Sequence, residues 1–238
     1  MPVHRTVTAM KSAGAFLIIG HRGAAGLEPE NTLRSFARAL DIGVDAIELD
    51  VYCVDGQLVV IHDDTLERTT NGRGEVMATS FEALRALDAG KGERIPTLDE
   101  VLALAAGKVT VNVELKGEGT AAPVAHCIAE HPDVDVLVSS FEHDELALFR
   151  TAAPRARVAP LFHRVSDAIF EIAESLNAWS INVSVKLASA DRLHAIADHG
   201  YRSLVYTVND PAIAKRLKAD GATGIFTDFP DRMQALRR

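Results

Sequence analysis

The sequence predicts an eight-stranded α/β barrel of the (β/α)8, TIM type, on three observations. Its 238 residues are close to the roughly 250 that such a barrel fills as one domain. Short β-rich runs alternate with helical patterns, the signature of a parallel sheet wrapped by helices. The runs number eight, at 16–20, 45–51, 109–116, 136–141, 157–162, 179–185, 202–208 and 224–228. One domain over residues 1–238 is therefore expected.

Residues 1–15 lack a long apolar core, and the first apolar run, 15–19, is too short for a signal peptide or a membrane span, so a cytoplasmic protein is expected. The first strand ends in Gly20-His21-Arg22-Gly23, where flanking glycines let the backbone bend and bring a ligand close. A first helix is expected after Pro29, capped by Asn31, with Leu33, Phe36, Ala37 and Leu40 on one buried face. The second strand then breaks the rhythm. Segments 45–54 and 57–63 are both strand-like but are joined only by Asp55-Gly56, and parallel neighbours need a dozen residues or more between them. A β-hairpin extension is the reading: the strand runs past the rim and folds back, returning His62 and Asp63 to the level of Glu48 and Asp50. A strict two-residue turn sets Asp63, not His62, across from Glu48, so a bulge is expected if His62 faces the site.

Residues 64–95, rich in Thr, Gly and charge, form a small insertion in which Phe81, Leu84 and Leu87 read as a helix packed on the barrel. The next helix opens with Thr97-Leu98-Asp99-Glu100, a capping box in which hydroxyl and carboxylate satisfy free amides reciprocally. Its core face is Leu98, Val101, Leu102 and Ala105. Later helices start at Ser189 and at Asp210-Pro211, where proline occupies the first helical position without losing a hydrogen bond.

The formal charge of −8 and the lack of any basic run exclude an electrostatic nucleic-acid role. An anionic substrate must therefore meet local cations. Cys53 and Cys127 are too few for a disulfide framework and lack metal-finger spacing, so both read as small buried hydrophobes. No feature of the pattern fixes an oligomeric state.

Alternation in the second strand puts Ile47, Leu49 and Val51 on one face and Glu48 and Asp50 on the other. The next barrel strand repeats the design, with Asn112, Glu114 and Lys116 opposite Val111, Val113 and Leu115. Acids gathered inside a barrel repel one another and are costly to desolvate, so they need a cation or a bound proton. All-oxygen ligation by Glu48, Asp50 and Glu114 selects one hard divalent cation, Mg2+ or Ca2+. The competing reading is a structural network in which these acids pair with Arg22 and Lys116. Each acid lies near the C-terminal end of its strand, where barrel enzymes build their sites. His21 and His62 close the first strand and the hairpin, and two imidazoles facing one scissile bond can serve as general base and general acid. The other seven histidines gain nothing from their context. Arg22 offers a planar fork for phosphate oxygens, and Lys116 a compact charge beside Glu114.

Positions 21–74, with HRG, ENT, ELDV, HD and an RTT-plus-glycine segment in order, resemble the N-terminal signature of the glycerophosphodiester phosphodiesterase family. NVELK at 112–116, SSF at 139–141, YTVND at 206–210 and GIFTDFP at 224–230 follow in the family's order. The resemblance implies metal ligands at Glu48, Asp50 and Glu114, acid/base histidines at His21 and His62, and phosphate contacts from Arg22 and Lys116. It also implies a small-molecule substrate, a glycerophosphodiester cleaved to sn-glycerol 3-phosphate and an alcohol. Two departures stand out. The hairpin turn is Cys53-Val54-Asp55-Gly56 rather than Thr-Lys-Asp-Gly. Tyr206 replaces the tryptophan thought to line the glycerol side of the pocket, which bears on substrate preference. Two competing functions are a lysophospholipase D or phosphoinositide-type phosphodiesterase, which calls for an exposed apolar rim, and a phosphodiester-binding scaffold without catalysis.

Overall fold

A computed structural model describes residues 15–237; residues 1–14, on which the expectation of no leader rested, lie outside the described residues. The elements run β1 (Leu17–Gly20), α1 (Leu33–Ile42), β2 (Ala46–Val54), β3 (Gln57–Val60), α2 (Phe81–Arg85), α3 (Leu98–Ala105), β4 (Thr110–Leu115), α4 (Ala121–Glu130), β5 (Val136–Ser140), α5 (His143–Ala152), β6 (Arg157–Phe162), α6 (Ile169–Ser175), β7 (Ser180–Ser184), α7 (Ala190–Asp198), β8 (Arg202–Tyr206), α8 (Pro211–Ala219) and β9 (Gly224–Thr227). Every strand but β3 pairs in parallel with its neighbours, and β1 pairs with both β2 and β9, closing an eight-stranded TIM-type barrel. β3 is antiparallel to β2 and stands outside the closed ring. Among the described residues no helix is long and apolar enough to cross a membrane.

Strand alternation sorts the barrel as the sequence pattern requires. Ile47, Leu49, Val51, Val111, Val113 and Leu115 point outward and share a core cluster with Phe36 and Ala39 of α1 and with Val101, Leu102 and Ala105 of α3. The inward rows begin with an apolar floor of Leu17, Ile19, Ala46, Leu137, Ala159, Leu204 and Phe226. Two residues above Ala46 on the same face stands Glu48, and two above that Asp50. The barrel is thus apolar at its base and acidic toward the C-terminal ends of its strands, the end from which barrel enzymes work.

The helix starts follow local chemistry, with one correction. Thr97 and Glu100 make both bonds of the capping box, an interaction worth about 1 kcal/mol. Ser189 and Asp210 cap α7 and α8 as expected. The cap of α1, however, is Thr32, whose side chain accepts from the Ser35 N–H, and not Asn31. Asn31 adopts the left-handed region at φ 55°, which asparagine tolerates, and turns its amide into the barrel mouth.

The hairpin forms with Asp55 at φ 51° and Gly56 at φ 75°, both positive as a type I′ turn demands. Its ladder runs unbroken from Val54↔Gln57 to Val51↔Val60, so the expected bulge is absent from it. Ile61 N–H still donates to Asp50 O at 3.1 Å, and the chain leaves the strand at His62. Beyond the last pair, His62 is no longer bound by the alternation that would have turned it outward. The insertion packs under the hairpin and builds its own small core from Val54, Val59, Ile61, Leu66, Val76, Leu84, Ala89 and Ile95, with Phe81 and Leu87 against it. Its α2 spans only five residues.

Candidate active site

The β2–β4 ladder places Asp50 directly beside Glu114, and Glu48 beside Asn112. One carboxylate oxygen from each of Glu48, Asp50 and Glu114 lies within 4.8 Å of the other two. Glu48 is 2% exposed and Asp50 1%. Burial, and after it the charge of neighbouring acids, pushes the Glu48 and Glu114 carboxyls well above the usual carboxylate range, because like charges in a low-dielectric site disfavour ionisation.

Part of the needed counter-charge comes from the chain itself. Lys116 Nζ lies 2.9 Å from Glu114 Oε1 and 3.6 Å from Asp50 Oδ1. Burial alone lowers the Lys116 ammonium, but Glu114 and Asp50 outweigh it and hold it above its ordinary value. Arg22 Nε lies 3.4 Å from Asp50 Oδ2, which also accepts from Asn31 Nδ2 at 2.9 Å. The pairing expected of a structural network is therefore present around Asp50 and Glu114. Glu48 is different: it accepts the Arg22 backbone N–H at 2.9 Å and, among the described residues, makes no ion pair. Asn112 Oδ1 beside it is buried without a hydrogen-bond partner. Oxygen donors with spare capacity around a surplus of negative charge fit a hard divalent cation, so this cluster could hold a metal.

The turn after β1 brings Arg22 there. Gly20 and Gly23 are required by packing as well as by the bend: a Cβ on Gly23, at φ 86°, would meet Ser35 at 2.5 Å, and one on Gly20 the Gly23 carbonyl at 2.4 Å. The Arg22 guanidinium donates from Nη1 to Glu30 Oε1 at 2.7 Å.

Two imidazoles flank the acids. His21 Nδ1 lies 2.6 Å from Asp228 Oδ1, at the end of β9. Asp228 is held in turn by Asn209, whose Nδ2 donates to Oδ2 at 2.6 Å and whose Oδ1 accepts the Asp228 N–H at 2.9 Å. His62 Nδ1 lies 2.6 Å from Asp63 Oδ1. Arg68 clamps Asp63 through Nε at 2.5 Å and Nη2 at 2.8 Å, and bridges to both oxygens of Glu30. Burial, reinforced by Arg22 and Lys116 and opposed by Asp50 and Asp63, lowers the His62 pKa and favours its neutral form. In both cases the carboxylate engages Nδ1, leaving Nε2 to act.

His21, Arg22, Glu48, His62, Asn112, Glu114 and Tyr206 line one cavity of about 150 Å3 with Ser139, Phe141, Leu161, Thr207 and Phe226. Asp50 and Lys116 contact Arg22 and Glu114 rather than the cavity itself. Tyr206 meets Phe141 edge-to-face, ring centroids 5.7 Å apart, and its buried hydroxyl has no partner. Of the side chains that hold these groups, Asn31 is read from sequence only as a cap and Asp63 only as the neighbour of His62, while Glu30, Arg68, Asn209 and Asp228 are not singled out. All six lie inside the motifs quoted above, and Asp63 follows His62 directly; partners so far apart in the chain leave no periodic signal.

The sequence model of the glycerophosphoryl diester phosphodiesterase family matches residues 21–232. A glycerophosphodiester phosphodiesterase of Bacillus altitudinis is 37% identical over 92% of this chain and 97% of its own. One from Caldanaerobacter subterraneus is 35% identical over 93% of this chain and 98% of its own. A phosphodiesterase structure from Oleispira antarctica, in complex with the product sn-glycerol-3-phosphate, superposes with a TM-score of 0.87 at 30% identity, covering 93% of this chain and 96% of that one. With the acid cluster and paired histidines standing at the mouth of the same barrel, the chain belongs to the glycerophosphoryl diester phosphodiesterase family.

Proposed function

We propose that this enzyme hydrolyses glycerophosphodiesters to sn-glycerol 3-phosphate and an alcohol, with His21 and His62 as its general acid and base. The observation that carries the reading is one small cavity in which two carboxylate-backed imidazoles face a three-carboxylate cluster. The Oleispira antarctica relative, with its product bound, supports the substrate class.

Glu48, Asp50 and Glu114 would hold one Mg2+ or Ca2+, which when bound supplies Lewis-acid polarisation of a phosphate oxygen. Arg22, which lines the cavity, orients the phosphodiester, and the charge of Lys116 behind Glu114 joins it in offsetting charge that grows in the transition state. One histidine Nε2 takes the proton of the attacking hydroxyl while the other protonates the departing alkoxide, whose release is slow without a proton. Asp228 and Asp63 fix each ring through Nδ1, so both Nε2 atoms keep their aim. Tyr206, with its flat face and unpartnered hydroxyl, contacts the glycerol moiety. The attacking hydroxyl belongs either to water or to the substrate's own glycerol, and trapping of a cyclic phosphate by phosphorus NMR separates the two.

A lipid-cleaving function calls for an apolar rim. The insertion offers no continuous apolar surface for this: Leu84 is fully buried, Phe81 and Leu87 pack into the satellite core, and Met77 stands exposed as a single side chain. A small water-borne diester fits better. The test is release of choline, ethanolamine and glycerol 3-phosphate from a diester panel, with lysophosphatidylcholine alongside, in EDTA and after adding back Mg2+, Ca2+ or Mn2+. Restoration by a hard ion on glycerophosphodiesters is expected. Full activity in EDTA removes the metal from the proposal, and preference for the lysolipid replaces the substrate.

A further inference from the structure

Outside the barrel, α3 and α4 bring together a second set of donor atoms that the reaction does not use. Asp99 stands in the first turn of α3, while Cys127 lies in α4 and His131 is its C-cap. Four residues apart, Cys127 and His131 share one helix face. Asp99 Oδ1 lies 2.7 Å from His131 Nε2 and 3.6 Å from Cys127 Sγ, and the three atoms lie within 4.8 Å of one another. Cys127 is a buried member of the core cluster and His131 is hydrogen-bonded, as the sequence reading expects; the convergence of the three donor atoms is what the chain order does not show.

Cys127 is 6% exposed, whereas the side chains of His131 and Asp99 are 22% and 65% exposed. A fixed sulfur thus sits beneath two groups that can reorient above it. The surroundings are negative. Burial, then Asp99 and Glu130, push the Cys127 thiol up to about 12, and among the described residues no Lys or Arg pairs with Asp99.

We propose that Asp99, Cys127 and His131 form a second metal site, for a borderline ion of the Zn2+ type, with water as fourth ligand. Thiolate, imidazole and carboxylate together select such an ion over Mg2+ or Ca2+, so the two acid-containing sites sort metals by donor chemistry. Zinc bonds of about 2.0–2.3 Å place tetrahedral donors roughly 3.3–3.8 Å apart. The oxygen–sulfur distance of 3.6 Å already fits. The shorter oxygen–nitrogen contact opens by rotation of the exposed Asp99 carboxylate. Binding sends the Cys127 proton to solvent and ties the start of α3 to the end of α4.

The test is stoichiometric Co2+ added to the EDTA-stripped, desalted full chain. A near-ultraviolet thiolate-to-cobalt charge-transfer band is expected, displaced by one equivalent of Zn2+. It should persist in Glu114→Gln and in Cys53→Ser and vanish in Cys127→Ser. Should Cys127→Ser fold poorly, Asp99→Asn and His131→Ala at the surface carry the decision. Each should weaken Zn2+ binding, read by chelator competition, at least about tenfold, no less than the loss of a supporting partner elsewhere. No thiolate band in the wild type, a band surviving Cys127→Ser, or unchanged Zn2+ affinity in both surface variants overturns the proposal and leaves a hydrogen-bonded trio.

Discussion

His21 and His62 each present a ring whose Nδ1 sits 2.6 Å from a carboxylate, but Asp228 lies 207 residues from His21, whereas Asp63 is the next residue after His62. The first arm is built on two adjacent barrel strands, and its holder is fixed by the uncharged amide of Asn209. The second stands on a hairpin outside the ring and depends on a relay of charges from Asp63 through Arg68 and Glu30 to Arg22. Topology positions one imidazole; surface electrostatics positions the other. The difference predicts that the arms respond differently to the same kinds of disturbance.

The largest effect is expected from removing the rings themselves. His21→Ala and His62→Ala should each lower kcat by about a hundredfold or more, and near-normal turnover in either removes that residue from the mechanism. Next come the holders. Asp228→Asn should cost at least about tenfold in kcat with little change in KM, because it frees a ring without touching a phosphate contact. Equal losses in kcat and in substrate affinity would show that Asp228 does more than aim His21. Arg68→Ala is expected to be milder, about two- to fivefold, because its side chain is 47% exposed and exposed ion pairs are weak. Its signature should be a raised KM, transmitted through Glu30 to Arg22, and activity that no longer falls with added salt. A salt response unchanged by the substitution would sink the idea of an electrostatic arm.

The smallest effect concerns the acids between the arms and shows only without a divalent ion. The folded-state pKa values of Glu48 and Glu114 are raised, so the ion-free native protein holds protons that the unfolded chain has released. For Glu114 that contribution to stability is full below the ordinary glutamate value of 4.5 and is lost as pH rises through about 7. The Tm gap between ion-loaded and EDTA-treated protein should therefore widen by a few degrees over that range. A gap that is constant with pH contradicts shared burial of the carboxylates.

Sequence alone made much of this architecture legible, and for a physical reason. The strands of β2 and β4 carry a period-two pattern that assigns Glu48, Asp50 and Glu114 to the interior before any contact is known. The capping box at Thr97 and the turn at Asp55-Gly56 are equally local. What stayed hidden depends on pairs remote in the chain, such as Asp228 on His21, or on where a ladder stops, as at Val60. Asn31 shows a third failure: its type suits both a cap and a left-handed turn, and the hydrogen bond it makes there, to Asp50, is remote in the chain. The Asp99, Cys127 and His131 cluster was invisible because two helices from different βα units contribute to it.

The ring closes by pairing the first strand with the last, and this sets when the proposed site can be assembled. A chain still being synthesised has released both imidazoles and all three acids by residue 114, yet the partner of His21 arrives only with residue 228. Until then β1 has an unpaired edge and the proposed site lacks the carboxylate that engages His21 Nδ1. Fragments lacking the last strand leave the β1 edge open and His21 without its carboxylate neighbour.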